Sequence, residues 1–469
     1  MPSRWNRRPA APATRRDWWP TPRKSGANSA GNQNTPRWKT FSLRRGTGTE
    51  TIRLGTTSPE STGCRLPGKT LAAKMSAEKP NFPFDAPLFA TTLARLILNV
   101  ALRMFYPFLP AFSRGLGVPI EHLIRLLSLR SALAMSAPFF GRLPDRFGRR
   151  NIMLVAMIIL AAALAAMALW PGHPFFVVVL LLGMVAQFLF LPAQQAYLSE
   201  RVPYAQRGRV IAITELAWSG ALLLGVPAVG WLLARAATPE VGLPRPFAVL
   251  AVVSIAVAGL LSLALPRKAV GHARRSAAFF HWKPILTNPR VLAGLALGML
   301  IGGANESLNV VFAAWLEGSF GLALTALGLA TGVIGAAELL GEGGVMALSD
   351  RLGKRRTIAL GVGLSTLAYL VLPALGSTLP GALAGLFLVY LAFEFAIVAT
   401  LPLMTELMPL ARASVMSANI AGHSLGRMLG ALLGGALLPL GIGASGIAAA
   451  GINLVALAVL LLWVRENDS

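Results

Sequence analysis

The chain has one cysteine, Cys64, in 469 residues. That excludes an intrachain disulfide framework and a thiolate metal site. Charge is scarce too: Asp, Glu, Lys and Arg make up 13% of the residues, about half the share of a soluble domain. Acids are the scarcer sign, 19 against 43 Lys and Arg. No G-x-x-x-x-G-K-[ST] phosphate loop occurs, so ATP is not indicated as an energy source. The five histidines (His122, His173, His272, His281, His423) are scattered and form no metal-ligand spacing. No Ser or Cys nucleophile constellation stands out. The expectation is no enzyme, no cofactor and no metal.

What the chain has in quantity is apolar surface. Hydrophobic residues make up 55% of it, and the mean hydropathy is +0.61. These values describe a membrane protein. The formal charge of +24 resembles that of a nucleic-acid binder, but its location argues otherwise. Residues 1–74 hold 15 Lys and Arg against 3 acids, half of the excess. Most of the rest lies in short loops on one side of the expected membrane, so no nucleic-acid partner is expected.

Residues 1–84 contain no apolar run long enough to span a bilayer. Their Arg, Pro, Thr, Ser and Gly content fits a basic disordered tail. No secretory signal is expected, because residues 1–84 show no hydrophobic core with a small-residue cleavage site. The Arg-rich, acid-poor start suits an organelle transit peptide, but the amphipathic helix is missing. Met75-Ser76-Ala77-Glu78-Lys79-Pro80 is a short polar lead into the first apolar segment. The functional protein is therefore expected to start near Met75.

From residue 86 the chain alternates apolar runs of about 20 residues with short breaks, the length that crosses ~30 Å of hydrocarbon. Helices are expected near 86–110, 118–140, 151–170, 174–199, 209–234 and 246–265, then near 291–316, 322–347, 357–375, 380–404, 413–437 and 443–464. The domain reading is a tail over 1–84, a six-helix bundle over 85–265, a basic linker over 266–290, and a second bundle over 291–469. If the loop at 141–150 is cytoplasmic, the loops on its side and Arg465 carry 19 Lys and Arg. The opposite loops carry three, Arg114, Arg235 and Arg245. The positive-inside bias then puts both termini in the cytoplasm.

The halves repeat. Gly141-Arg142-Leu143-Pro144-Asp145-Arg146-Phe147-Gly148-Arg149-Arg150 returns as Ser349-Asp350-Arg351-Leu352-Gly353-Lys354-Arg355-Arg356, with Asp145 on Asp350 and Gly148 on Gly353. Glu200 and Pro203 match Glu406 and Pro409; Gly115 matches Gly321; Asn99 matches Asn305. A basic, Gly-containing turn at matching points of two apolar halves marks a duplicated membrane protein.

With these motifs the chain resembles the major facilitator superfamily over about residues 86–464. The family signature G-x-L-a-D-R-x-G-R-[RK] is met by residues 141–150, departing only at Pro144. The resemblance implies twelve transmembrane helices in two pseudo-symmetric six-helix bundles, with a cavity between them and alternating access. It also implies that the 141–150 loop latches the halves together on the cytoplasmic side. The latch residues carried over are Gly141, Asp145, Arg146, Gly148, Arg149, Glu200 and, in the second half, Asp350. A plainer reading is that these arginines only fix topology.

Polar residues inside spans are costly and face a cavity or a partner. Near mid-span lie Arg95, Asn99, Arg130, Gln187, Asn305, Glu306, Glu338, Glu394 and Arg427. Glu215, Glu342 and His423 lie nearer the loop side, Arg103 and Arg125 nearer the other. All fall on helices 1, 2, 4, 5, 7, 8, 10 and 11, those that line the cavity in the resembled family, and none on 3, 6, 9 or 12. A carboxyl among apolar neighbours can exchange a proton instead of staying ionised, which makes Glu306 and Glu394 the proton-site candidates. The alternative is permanent salt bridges with Arg95, Arg130 or Arg427. Trp170 and Tyr106 read as interface anchors near outer span ends, and Trp463 near the inner end.

Gly220-Ala221-Leu222-Leu223-Leu224-Gly225-Val226-Pro227-Ala228-Val229-Gly230 resembles the antiporter signature G-x-x-x-G-P-x-x-G, with Val226 interrupting it. Ordinary close packing explains the same small residues. Gly426, Gly430 and Gly434 form a packing stripe. The expected function is secondary active transport of a small solute in the cell (inner) membrane, proton-coupled, with efflux of an amphiphilic compound favoured and a monomer as the unit. Proton-coupled uptake, or a non-transporting receptor on the same fold, is the alternative.

Overall fold

The structure is a computed structural model and describes residues 39–45, 48–54, 85–140, 143–202, 206–235, 242–266, 285–408 and 411–464. The chain divides into two units, Met1–Asn81 and Phe82–Ser469. In the first, strands β1 (Lys39–Arg45) and β2 (Gly48–Leu54) pair antiparallel, with Phe41 opposite Ile52. Composition predicts no order there, so this pairing departs from expectation. The β-branched and aromatic residues in both strands favour it.

The second unit is helical. Helix α1 comes in two pieces, α1a (Ala86–Arg103) and α1b (Leu109–Leu116). Then come α2 (Ile120–Ala134, continued by Ala137–Phe140), α3 (Arg149–Leu169) and α4 (His173–Arg201). Helix α5 runs Arg207–Gly220, passes through a π turn at Ala221–Gly225, and resumes at Val226–Ala234; α6 is Pro244–Ala264. The second set is α7a (Pro289–Asn309), α7b (Phe312–Phe320), α8 (Leu324–Leu352), α9 (Lys354–Leu375), α10 (Leu379–Leu407), α11 (Arg412–Leu437) and α12 (Gly441–Trp463).

Among the described residues ten helical stretches are long and apolar enough to cross a bilayer, or eleven when the two pieces bent by 47° at the end of α2 count as one. One of the ten, Ser414–Trp463, is 50 residues long, about 75 Å if straight at 1.5 Å per residue. It is not one rod. Gly441, at φ 80°, divides α11 from α12, and both pack on α7a. Twelve helical segments therefore stand where twelve were expected, while length and apolarity alone qualify ten or eleven.

The two sets pack alike. In the first, α1 meets α5 and α6, α3 meets α4 and α6, and α2 meets α4. The second repeats each pairing six helices on: α7 with α11 and α12, α9 with α10 and α12, α8 with α10. The sets join where α2 meets α11 and α5 meets α8. Exposed apolar residues recur at helical spacing on the outer helices: Val252 and Ile255 on α6, Leu364 and Leu367 on α9, Ile447 and Leu454 on α12. Those faces suit hydrocarbon.

Helix 1 was expected to run unbroken over 86–110. It stops at Arg103 and resumes at Leu109. Pro107, in the break, has no N–H to continue the ladder. Helix α7 breaks at the corresponding place, after Asn309. Both second pieces end on a left-handed glycine, Gly117 at φ 65° and Gly321 at φ 62°. That corrects the match of Gly115 with Gly321. A helix cap at positive φ requires glycine; Gly117 is the cap and Gly115 lies inside the helix.

Candidate functional site

Between the two sets lies a cavity of about 100 Å³. Of the nine mid-span residues expected there, Arg130, Gln187, Asn305, Glu306, Glu338 and Arg427 line it. Arg103, Tyr106, Trp218, Asn309 and Tyr390 join them.

At its centre is one hydrogen-bonded network. Arg427 donates through Nε to Glu306 Oε2 (2.9 Å) and through Nη2 to the Tyr106 hydroxyl (2.6 Å). Tyr106 donates to Glu306 Oε1 (2.7 Å) and accepts from Arg130 Nη2 (2.8 Å). Asn309 donates to Glu306 Oε2 (3.4 Å) and accepts from the Tyr390 hydroxyl (2.7 Å). Arg130 spends Nη1 on the Leu102 carbonyl, 2.8 Å away. Tyr106 and Arg130 belong to the first set, Glu306 and Arg427 to the second, so the network ties the halves at mid-membrane. The reading of Tyr106 as an interface anchor is corrected: it is 5% exposed. The break around Pro107 turns it inward.

A second tie lies beside the first. Arg103 forks onto Glu338 (2.8 and 2.5 Å) and stacks 4.1 Å over the Trp218 ring. Bidentate geometry and a desolvated cation–π contact make this a strong pairing. Arg103 was expected nearer the outer end. Arg95, Asn99 and Arg103 follow one another at four-residue steps, which already places the three on one helix face.

The remaining three expected residues do not line the cavity. Arg95 bonds to Glu215, with Nη1 2.9 Å from Oε1, and to the Thr214 hydroxyl at 3.4 Å. Asn99 donates to the Ala217 carbonyl (3.1 Å), tying α1 to α5. Glu394 is buried on α10, its Cβ facing Gly341 of α8, and makes no hydrogen bond or ion pair among the described residues. Glu338, Glu342 and Arg103 are its electrostatic neighbours.

At the loop end the ion pairs of Arg149 and Lys354 each lie within one set. Arg149 pairs with Glu200 (2.7 Å) and Asp145 (3.2 Å). Arg150 donates to the last carbonyls of α6, Ser262 (2.8 Å) and Leu265 (3.0 Å). The second set repeats the device: Lys354 pairs with Glu406, and Arg355 donates to Leu461 of α12 (2.7 Å). Arg146 lies over the Phe147 ring at 5.2 Å. Gly148 and Gly353 turn the chain at φ 87° and 79°. Asp350 is exposed and makes no ion pair among the described residues. Gly141 and Arg142 lie outside the described residues, as does the linker over 267–284. At the opposite end Arg114 forks onto Glu317 across the two sets (2.7 and 3.1 Å).

The π turn on α5 sits inside the stretch that resembles the antiporter signature. A wider turn takes up an extra residue without ending the helix, which accounts for the irregular spacing. Gly225 lies against Val100 of α1 and Gly230 against Leu324 and Gly328 of α8, so both serve close approach. On α11, Gly426, Gly430 and Gly434 face the α7a backbone at Met299, Gly303 and Ser307. Among the described residues no three His, Cys, Asp or Glu converge as a metal site. His122 and His173, 51 residues apart, do meet, with Nε2 atoms 2.8 Å apart.

Two matched helix sets, tied by ion pairs around a polar mid-membrane cavity, define a two-bundle membrane transporter. The Major Facilitator Superfamily profile matches residues 91–341 and 295–469. The chain belongs to that superfamily and is a multi-pass membrane transporter. It is similar to Multidrug resistance protein 2 of Bacillus subtilis (strain 168), 20% identical over 388 residues, covering 79% of this chain and 93% of that one. It is also similar to Multidrug resistance protein MdtG of Salmonella typhi, 27% identical over 312 residues, 61% of this chain and 73% of that one. Among solved structures it resembles a D-xylose-proton symporter, with TM-score 0.66, 16% identity, and 81% and 98% of the two chains covered. A bacterial homolog of the human lysosomal transporter Spinster, inward-facing and occupied, gives TM-score 0.64 at 15% identity, with 81% and 98% covered. At these identities the solved structures speak for the fold alone.

Proposed function

We propose that the chain exports an amphiphilic solute by alternating access, in exchange for protons, from an inner membrane with both termini in the cytoplasm. Glu394 is the observation that carries the coupling. Glu306, the other candidate, has both oxygens committed to Arg427, Tyr106 and Asn309. Glu394 has no such commitment and can exchange a proton without dismantling an ion pair. The Lys and Arg bias of the loops supports the orientation. The multidrug names of the relatives and the small-residue stretch on α5 support export.

Asp145, Arg146, Gly148, Arg149 and Glu200, with Gly141 and Asp350, are assigned to the latch. In this structure Arg149 bonds within the first set, and the ion pair joining the sets at one end is Arg114 with Glu317, away from the latch loop. The latch then closes only when the sets rock the other way.

The test is flux of amphiphilic solutes driven by a pH gradient in proteoliposomes. Expected is gradient-dependent export that Glu394→Gln uncouples and Glu306→Gln leaves gradient-dependent. Flux indifferent to the gradient in the unmodified protein would sink proton coupling, and accumulation along the proton's direction would establish symport instead.

A further inference from the structure

We infer that the cavity seats an anionic head group, a carboxylate or phosphate borne on an apolar tail, between Arg130, Arg427 and Asn305. The inference rests on the reading that this cavity is the one the solute passes through. It needs neither proton coupling nor a direction.

The argument starts from charge. Three arginines and two acids line the cavity, with the His423 imidazole beside them: Arg103, Arg130, Arg427, Glu306 and Glu338. Arg103 and Glu338 form a closed bidentate pair and cancel. Arg130 and Arg427 are left to share one carboxylate, Glu306, so one positive charge has no counter-ion in the cavity wall. Arg130 and Glu306 are 4% and 1% exposed, so bulk water does not supply one. An uncompensated cation at that depth is expensive, and a bound anion offsets it. Glu342 and Glu394 do not compensate it from the wall, because neither lines the cavity.

Unused donors agree with the charge. Arg130 Nε is buried with no acceptor; Asn305 Nδ2, on a residue 6% exposed, also lacks a full hydrogen bond, with the Tyr369 hydroxyl beside it. Arg427 uses Nε and Nη2 but makes no bond through Nη1 among the described residues, and its side chain is 26% exposed. The Tyr106 hydroxyl, which Arg130 and Arg427 share, already accepts twice and donates once. Both buried side-chain atoms left without a hydrogen bond on the cavity wall are thus donors, the complement of a carboxylate or phosphate. A cationic head group would meet the same donors with like charge.

Size separates head from tail. A cavity of about 100 Å³ accommodates a head group but not a long amphiphile. The tail has apolar wall to follow at Met184, Leu222, Phe312 and Ile334.

The experiment is equilibrium binding to the full chain in lipid nanodiscs, followed by quenching of Trp218, which lies on the cavity wall. The probes share one tail: octanoate, octyl phosphate, octylammonium and octyl glucoside, with inorganic phosphate as the tail-less arm. Octanoate and octyl phosphate should bind at least roughly tenfold tighter than octylammonium, the size of one hydrogen bond to a charged group. Inorganic phosphate should bind weakly, since it lacks the tail. Asn305→Asp replaces a donor on the cavity wall by a like-shaped anion, and should weaken octanoate by roughly tenfold or more and remove the preference over octylammonium. Arg130→Lys keeps the charge and loses the fork, so it should weaken octanoate less; it also carries the test if Asn305→Asp does not fold. The inference is overturned if octylammonium or octyl glucoside binds as tightly as octanoate, if none of the probes binds, or if neither variant changes octanoate binding. Tight inorganic phosphate binding would overturn the amphiphile and leave a simple anion. A protein that binds these anions yet shows no proton-driven flux would fail the proposed coupling and keep this site.

Discussion

Removing Glu306 and Arg427 together should cost less than the two single changes combined. Each is the other's main partner: the pair is 2.9 Å apart, and both bond to the same Tyr106 hydroxyl. Two charges about 4 Å apart attract by ~4 kcal/mol at an effective dielectric constant of about 20. Taking away one partner of a buried pair costs about 3–5 kcal/mol, because the other charge stays buried and unpaired. Glu306→Gln is the more severe single change, since it leaves Arg130 and Arg427 facing each other with no acid between them. The double variant Glu306→Gln/Arg427→Gln removes the stranded charge as well as the bond. A coupling of about 2–3 kcal/mol is expected, well above the ~0.6 kcal/mol average of a single interhelical hydrogen bond in a membrane protein. The assay is reversible unfolding in mixed micelles, read by tryptophan fluorescence, for the four members of the cycle. If the double variant loses the sum of the two single losses, the pair does not act as a unit and the network account of the cavity fails.

Other expectations are simpler. Gly430→Val forces a branched side chain into the α7a backbone, where even a Cβ would sit 2.9 Å from the Gly303 carbonyl carbon; overpacking of this kind costs roughly 1–3 kcal/mol or more and should lower the thermal midpoint. Gly363→Ala on α9 meets open space and should be neutral or stabilising by up to ~1 kcal/mol. An equal loss in both would remove close packing as the reason for the α11 glycines. Asp145→Asn should slow transport several-fold while insertion and thermal midpoint stay near normal, since its bond to Arg149 is half exposed and worth little to stability, ~1 kcal/mol at most. Unchanged flux would take Asp145 out of the latch.

The all-helical membrane fold and the repeat were legible in the chain because each is a one-dimensional signal. Apolar run length sets spans, and a constant offset reveals duplication. What could not be read was which way a side chain turns. Asn99 and Asn305 match in sequence, yet Asn99 bonds the α5 backbone while Asn305 looks into the cavity. Tyr106 looked like an interface residue because its distance along α1 was counted as though the helix were straight, and the break at Pro107 changes its depth. Arg103 was misplaced for the same reason. Partners were equally hidden: Glu306 had three possible arginines, and only the packing of α7 on α11 selects Arg427.

The repeat also separates scaffold from site. At the loop end, matched positions do matched work: Arg149 with Glu200 against Lys354 with Glu406, Arg150 against Arg355, and Gly148 against Gly353. In the cavity the correspondence stops. Moved by the 206-residue offset, Arg103 falls on Asn309, Arg130 on Ala336, Glu306 on Val100, Glu338 on Ala132 and Arg427 on Ala221. No charged residue lining the cavity has a charged counterpart in the other half. Rocking two bundles over one another needs both ends built alike, and duplication supplies that. Holding a particular solute needs one arrangement of charge, which a symmetric pair of halves would present twice. The charges that break the repeat are therefore the ones to test for substrate, and those that keep it are the ones to test for conformational change.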